Sequence, residues 1–120
     1  TYPIDVVIDG VIGYSLKGAP RGTSKALIQW ANGQPAPVLA LDVPSGIDTA
    51  TGVVYDPAIR AAATMTLALP KVGLRHPTVL PRIGELYLAD ISVPPALYRL
   101  PSLGLNVGAI FAKSELIRLG

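Results

Sequence analysis

Leu39-Ala-Leu-Asp-Val-Pro-Ser-Gly-Ile-Asp48 is the stretch whose reading decides the fold. Apolar residues run from Pro37 to Leu41 between turn formers, the pattern of a short buried strand. Asp42 stands where that strand ends. Pro44 has no N–H for a ladder and Gly46 permits a tight turn, so the chain leaves the sheet here. Two carboxylates (Asp42 and Asp48) and a hydroxyl (Ser45) are thereby set on one loop at a strand's carboxyl end. In open α/β sheets that edge is where ligands bind. The same residue types also make a turn whose only task is to cap and reverse the chain.

Before this stretch, Ile4 to Ile8 reads as a first buried strand that ends at Asp9-Gly10. A Gly-rich loop follows from Gly13 to Gly22, carrying Lys17 and Arg21. Thr23 or Ser24 is placed to N-cap a helix from Lys25 to Ala31, with Ala26, Leu27, Trp30 and Ala31 on one face. Asn32-Gly33 stops it. Strand, helix, strand is a βαβ unit, which makes a parallel pair with a right-handed crossover. Asp9 and Asp42 then end neighbouring strands on one edge, and both carboxylates face one crevice with Ser45 nearby. The alternative is a pair of turn caps that never meet.

After it, Asp56 to Ala63 reads as a helical turn with Pro57 at its first position. Thr64 to Leu69 is a third strand ending at Pro70-Lys71, where Lys71 is an anion contact or simply solvated. Val72 to Arg82 looks irregular, and Gly84 to Asp90 alternates as a fourth strand with one solvated face. Pro94 to Tyr98 suggests a short helical turn. The tail, residues 103–120, suggests a brief strand from Val107 to Ala112 and a last helical turn capped by Ser114.

Composition narrows the choices. The 120 residues make at most one domain, and 50% hydrophobic with 15% charged residues argues for a packed core. A net charge of +2, with basic residues scattered, gives no stripe for nucleic acid, although the isoelectric point is near 9.1. There is no cysteine, which removes disulfides and thiolate metal sites. The longest apolar run, Ala61 to Pro70, is too short to span a bilayer, and no signal-peptide pattern is present. The sequence opens without Met and runs almost at once into a strand, so we expect it to start inside a larger fold.

Several chemistries fail on their spacing. Gly13 to Gly18 has the glycines of a P-loop, but Ala19 and Pro20 stand where Lys and Ser or Thr belong. No G-x-G-x-x-G is present. Val43 occupies the first Gly position of a nucleophile elbow around Ser45, and His76, the single histidine, lies among prolines. One His and no Cys argue against zinc. What remains is an oxygen-rich crevice of Asp9, Asp42 and Ser45, suited to a hard cation, beside a Gly-rich loop suited to phosphate. Tyr14 or Leu16 could pack on a flat ring or belong to the core.

The blocks Asp5-Val-Val-Ile-Asp-Gly10, Gly13-Tyr-Ser-Leu-Lys-Gly-Ala-Pro-Arg-Gly22, Ala40-Leu-Asp-Val-Pro-Ser-Gly-Ile-Asp48 with Gly52, Leu69-Pro-Lys71 and Leu88-Ala-Asp-Ile-Ser-Val-Pro94 together resemble the YjeF N-terminal domain. That is the NAD(P)H-hydrate epimerase family, and the likeness covers roughly Asp5 to Pro95, the second half of its domain. The resemblance implies a partial Rossmann-like three-layer α/β sandwich, its sheet mostly parallel with a later antiparallel strand. It implies interconversion of the R and S forms of hydrated NADH or NADPH. By position, Asp9 and Ser45 match potassium ligands. Gly13, Tyr14, Ser15, Leu16, Lys17, Gly18 and Ala19 match the nucleotide-holding loop, and Asp42 matches the substrate-contacting carboxylate and acid/base. The family's Gly-Asn-Asn-Gly-Gly-Asp loop, which adds a potassium ligand and phosphate-binding amides, is absent here. The expectations that follow are a single partial domain over 1–120, a cytoplasmic setting, no nucleic acid or membrane, and a homodimer or a second chain supplying the first half. The alternative is a non-catalytic binding or scaffold module on the same fold.

Overall fold

A computed structural model describes residues 3–12, 16–67, 72–90 and 116–119. Its first unit is the expected crossover: β1 (Val7–Asp9), α1 (Gly22–Asn32) and β2 (Val38–Leu41). A hairpin follows, β3 (Ile47–Asp48) with β4 (Val53–Val54), then β5 (Ala63–Leu67). A 3₁₀ turn (Val72–Arg75) and a one-turn helix α2 (Leu80–Ile83) lead to β6 (Glu85–Ala89), and β7 (Leu116–Arg118) closes the described chain. The sheet order is β1-β2-β5-β6-β7, with all pairs parallel except β6 with β7. This is the mostly parallel α/β sheet with an antiparallel later strand that the sequence implied.

Parallel register fixes which side chains share a face. Val7, Asp9, Val38, Ala40, Thr64, Thr66, Leu86 and Leu88 lie on one face, through the pairs Asp9 with Ala40, Ala40 with Thr64 and Thr64 with Leu86. That face is sealed. Ile28 and Ala31 of α1 pack over Val38 and Ala40 together with Ile59 and Ala61. Val43, Ile47, Leu74, Val79 and Ile83 pack over Leu86. The opposite face carries Ile8, Leu39, Leu41, Ala63, Met65 and Leu67, and none of these is buried: Ile8 is 59% and Leu41 40% exposed.

Several elements differ from the sequence reading. The first strand starts at Val7 rather than Ile4. Helix α1 starts three residues early, capped by extended Arg21 with no side-chain bond, so neither Thr23 nor Ser24 is the N-cap. Its buried residues are Ile28 and Ala31, whereas Leu27 is 47% and Trp30 50% exposed. The expected stripe was rotated because apolar periodicity does not say which apolar residues meet a neighbour. Asp56 and Pro57 form a bend joined by a cis peptide bond, and residues 58–61 have no regular structure, where a helical turn was expected. The segment read as irregular holds the 3₁₀ turn and α2, and residues 116–118 are a strand, not part of a helical turn. The expected elements at Pro94 to Tyr98 and Val107 to Ala112 lie outside the described residues.

Candidate active site

Because β1 and β2 are parallel, Asp9 and the loop after Leu41 reach the same sheet edge. Asp9 is 2% and Ser45 1% exposed. A carboxylate so deeply buried is tolerated only if its oxygens are bonded. The Ser45 hydroxyl donates to Asp9 Oδ1 at 2.6 Å and the Ser45 amide donates to Oδ2 at 2.7 Å. The Val11 amide donates to Oδ1 at 3.2 Å. The Ser45 oxygen in turn accepts from the Ile12 amide at 2.8 Å, with the Ile12 carbonyl 3.3 Å away. The end of β1, the turn after it and the loop after β2 are thus locked at one point. Gly46 makes the lock possible: its φ is +96°, and a Cβ there would lie 2.6 Å from the Pro57 carbonyl oxygen.

Asp42 faces elsewhere. Its φ of +67° is the left-handed conformation, uncommon for a residue with a side chain. Its amide donates to the Met65 carbonyl at 2.7 Å, and its Oδ1 accepts from the Leu67 amide at 3.3 Å and the Thr66 hydroxyl at 3.5 Å. The half-buried carboxylate therefore leans on the end of β5, while the Asp9–Ser45 pair is locked on the β1 side. Asp48 caps its own turn, accepting from the Ala50 amide at 2.9 Å.

The proposed nucleotide loop is described only in part. Gly13, Tyr14 and Ser15 lie outside the described residues, as does Lys71. Leu16 is half-buried, Lys17 and Ala19 are exposed, and Gly18 has a φ of +92°. His76 lies beyond the sheet, its Nδ1 2.7 Å from the Thr78 hydroxyl. Sequence reasoning missed Thr66 and the amides of Val11, Ile12 and Leu67. Backbone donors carry no residue signature, but a threonine in a strand otherwise sealed by apolar side chains was a usable sign.

Among the described residues no cluster of three His, Cys, Asp or Glu side chains could hold a metal. The donors that do converge, Asp9 Oδ1, Ser45 Oγ and the Ile12 carbonyl, are all oxygen. That chemistry fits a hard cation, and their number is below the six to eight or so such an ion takes. No helix among the described residues is long and apolar enough to cross a membrane.

Comparison with known proteins places this geometry. The family described as YjeF-related protein N-terminus matches residues 1–73. An NAD(P)H-hydrate epimerase of Dehalogenimonas lykanthroporepellens is 45% identical over 96% of this chain and 45% of its own length. One from Truepera radiovictrix is 41% identical over 76% of this chain and 40% of its own. The bifunctional NAD(P)H-hydrate repair enzyme Nnr of Salinibacter ruber is 42% identical over 73% of this chain and 16% of its own. The crystal structure of yeast ynu0 superposes with a TM-score of 0.69 over 96% of this chain and 46% of that one. At 20% identity that likeness is one of fold. The chain spans less than half the length of these relatives.

Proposed function

Since this chain belongs to the YjeF N-terminal family, we propose that it forms part of an NAD(P)H-hydrate epimerase and carries the acid/base of that reaction. The observation that supports this most is Asp42: a half-buried carboxylate in a left-handed conformation at the carboxyl edge of a parallel sheet. In the proposed reaction Asp42 acts first as acid. It gives a proton to the hydroxyl on the hydrated nicotinamide ring, water leaves, and the ring becomes an iminium. A water then adds from the other face while the Asp42 carboxylate takes back a proton. One water leaves and one returns, so no oxidant or reductant enters.

Gly13 to Ala19 would hold the nucleotide, with Lys17 offering a cation to its phosphates. Asp9 and Ser45, with the Ile12 carbonyl, would hold a potassium ion whose charge helps to bind the anionic nucleotide. The remaining ligands, and the cover of the β1 edge, would come from a completing chain or segment equivalent to the part of the relatives left unmatched.

The test is to incubate the 120-residue chain with the R form of NADH hydrate in potassium buffer and follow the S form by chromatography. Conversion that is lost in Asp42→Ala supports the reading. Conversion only after the completing segment is added marks this chain as half of an enzyme. No conversion in either case overturns it. The Asp9 carboxylate, already bonded by protein donors at both oxygens, favours a second reading in which this pair is structural and the chain is a binding module. Potassium then gives no more thermal stabilisation than sodium, because only an ion that binds the folded state raises its stability.

A further inference from the structure

The sealed face of the sheet carries two threonines among its apolar residues, Thr64 and Thr66, both 0% exposed. Valine has the same shape and no hydroxyl to satisfy, so a buried threonine requires a partner for its oxygen. For Thr64 that partner is the Ile83 carbonyl, which accepts its hydroxyl at 2.8 Å. For Thr66 one partner is Asp42 Oδ1, 3.5 Å from its hydroxyl. The register explains why. Leu41 pairs with Met65, so the place opposite Thr66 is the one Asp42 would fill if β2 ran one residue further. The chain instead turns at Asp42 with φ +67°, yet the Asp42 amide still bonds the Met65 carbonyl. The residue is therefore pinned at its backbone to the end of β5, and its carboxylate meets the Thr66 hydroxyl and the Leu67 amide there.

We infer that Thr66 is the positioning residue of this site: with the Leu67 amide, its hydroxyl sets the direction in which the Asp42 carboxylate faces. The hydroxyl lies 3.5 Å and the amide 3.3 Å from Asp42 Oδ1. The consequence for catalysis rests on the acid/base role proposed for Asp42; the positioning itself does not.

The experiment compares Thr66→Val, Thr66→Ser and Thr64→Val, with Thr66→Ala in reserve should the valine chain not fold. The first readout needs no activity: the carboxyl-carbon resonance of Asp42 in the 120-residue chain labelled with ¹³C-aspartate, assigned by its absence in Asp42→Asn. The second is kcat and KM for NADH hydrate in the completed protein. Thr66→Val is expected to move the Asp42 resonance and to lower kcat on the order of tenfold with little change in KM, since misdirecting a reacting group costs rate more than binding. Thr66→Ser restores both. Thr64→Val loses a shorter bond and melts earlier, but leaves the resonance and kcat in place. An Asp42 resonance unmoved by Thr66→Val overturns the inference, as does a Thr64→Val loss of kcat equal to that of Thr66→Val. If the completed protein shows no epimerase activity at all, the resonance still decides the positioning, and the acid/base reading alone falls.

Discussion

At the scale of single residues, the Asp9–Ser45 lock shows how a carboxylate is kept inside a small core. Ser45→Ala removes the 2.6 Å donor to Asp9 Oδ1 and the acceptor of the Ile12 amide, leaving the buried Asp9 oxygen and the half-buried Ile12 amide each short of a partner. The expected loss is about 2–3 kcal/mol, read as a lower midpoint of urea unfolding. Gly46→Ala is expected to cost a similar amount by a different route. Its φ of +96° strains any side chain, and the nearby Pro57 carbonyl and Ala58 are held by the backbone and cannot swing aside. Gly10→Ala is the control, because a Cβ there meets nothing within 4 Å, and its effect should stay within about 0.5 kcal/mol. The convergence of Asp9 and Ser45 was legible in the sequence, since a βαβ unit puts both strand ends on one edge whatever the details. The direction of Asp42 was not. It depends on the register of β2 against β5 and on a positive φ at a residue other than glycine, and neither leaves a pattern in the chain.

At the scale of elements, β2 was readable because a short apolar run met Asp, Pro and Gly in quick succession, whereas β7 was not, with only three residues and Glu115 before it. Strand β6 shows what the sheet does where its outer face meets water. Glu85 and Tyr87 project together from that face, and the Tyr87 hydroxyl donates to Glu85 at 3.0 Å, while Arg118 of β7 reaches the other Glu85 oxygen at 3.2 Å. The hydrogen bond to Glu85 first, and then its negative charge, raise the Tyr87 phenol above its ordinary 10.0; Arg118 pulls the other way. The sign follows from the neutral form being the one favoured in the fold. Whatever this contact contributes is present below pH 10.0 and is lost as the pH rises through the higher folded value. The contact lies at the surface, so the unfolding midpoint is expected to move little across this range. The direct check is ultraviolet titration of tyrosinate: one of the transitions should lie above 10.0, and Glu85→Gln should lower it towards that value.

At the scale of the whole molecule, the described residues pack over one face of the sheet and leave apolar side chains exposed on the other. Parallel sheets are normally covered on both faces, and their strands are correspondingly apolar. Here Ile8 and Leu41 are exposed on the open face beside half-buried Leu39, Met65 and Leu67. Leu27 and Trp30 of α1 also stand exposed, and with Val7, Ile8 and Val11 they line a cavity of about 110 Å³ along β1, the edge strand. On the reading proposed above, the segment of the Dehalogenimonas relative that this chain does not match would add a strand to β1 and lay apolar side chains over Ile8 and Leu41. Ile8→Lys separates this from an effect on the fold. At 59% exposed, Ile8 contributes little to the chain's own stability, and the change should shift unfolding by no more than about 0.5 kcal/mol. Its effect on association should be far larger, because a lysine ammonium would be buried in the joint without a partner. Titration of the chain with the unmatched segment of the Dehalogenimonas epimerase, followed by calorimetry, should therefore show binding that weakens by tenfold or so in Ile8→Lys. Equal binding by both chains would mean that the segment docks elsewhere. Concentration-dependent dimerisation of the chain alone, abolished by the same lysine, would mean that a second copy takes the place of that segment on the open face.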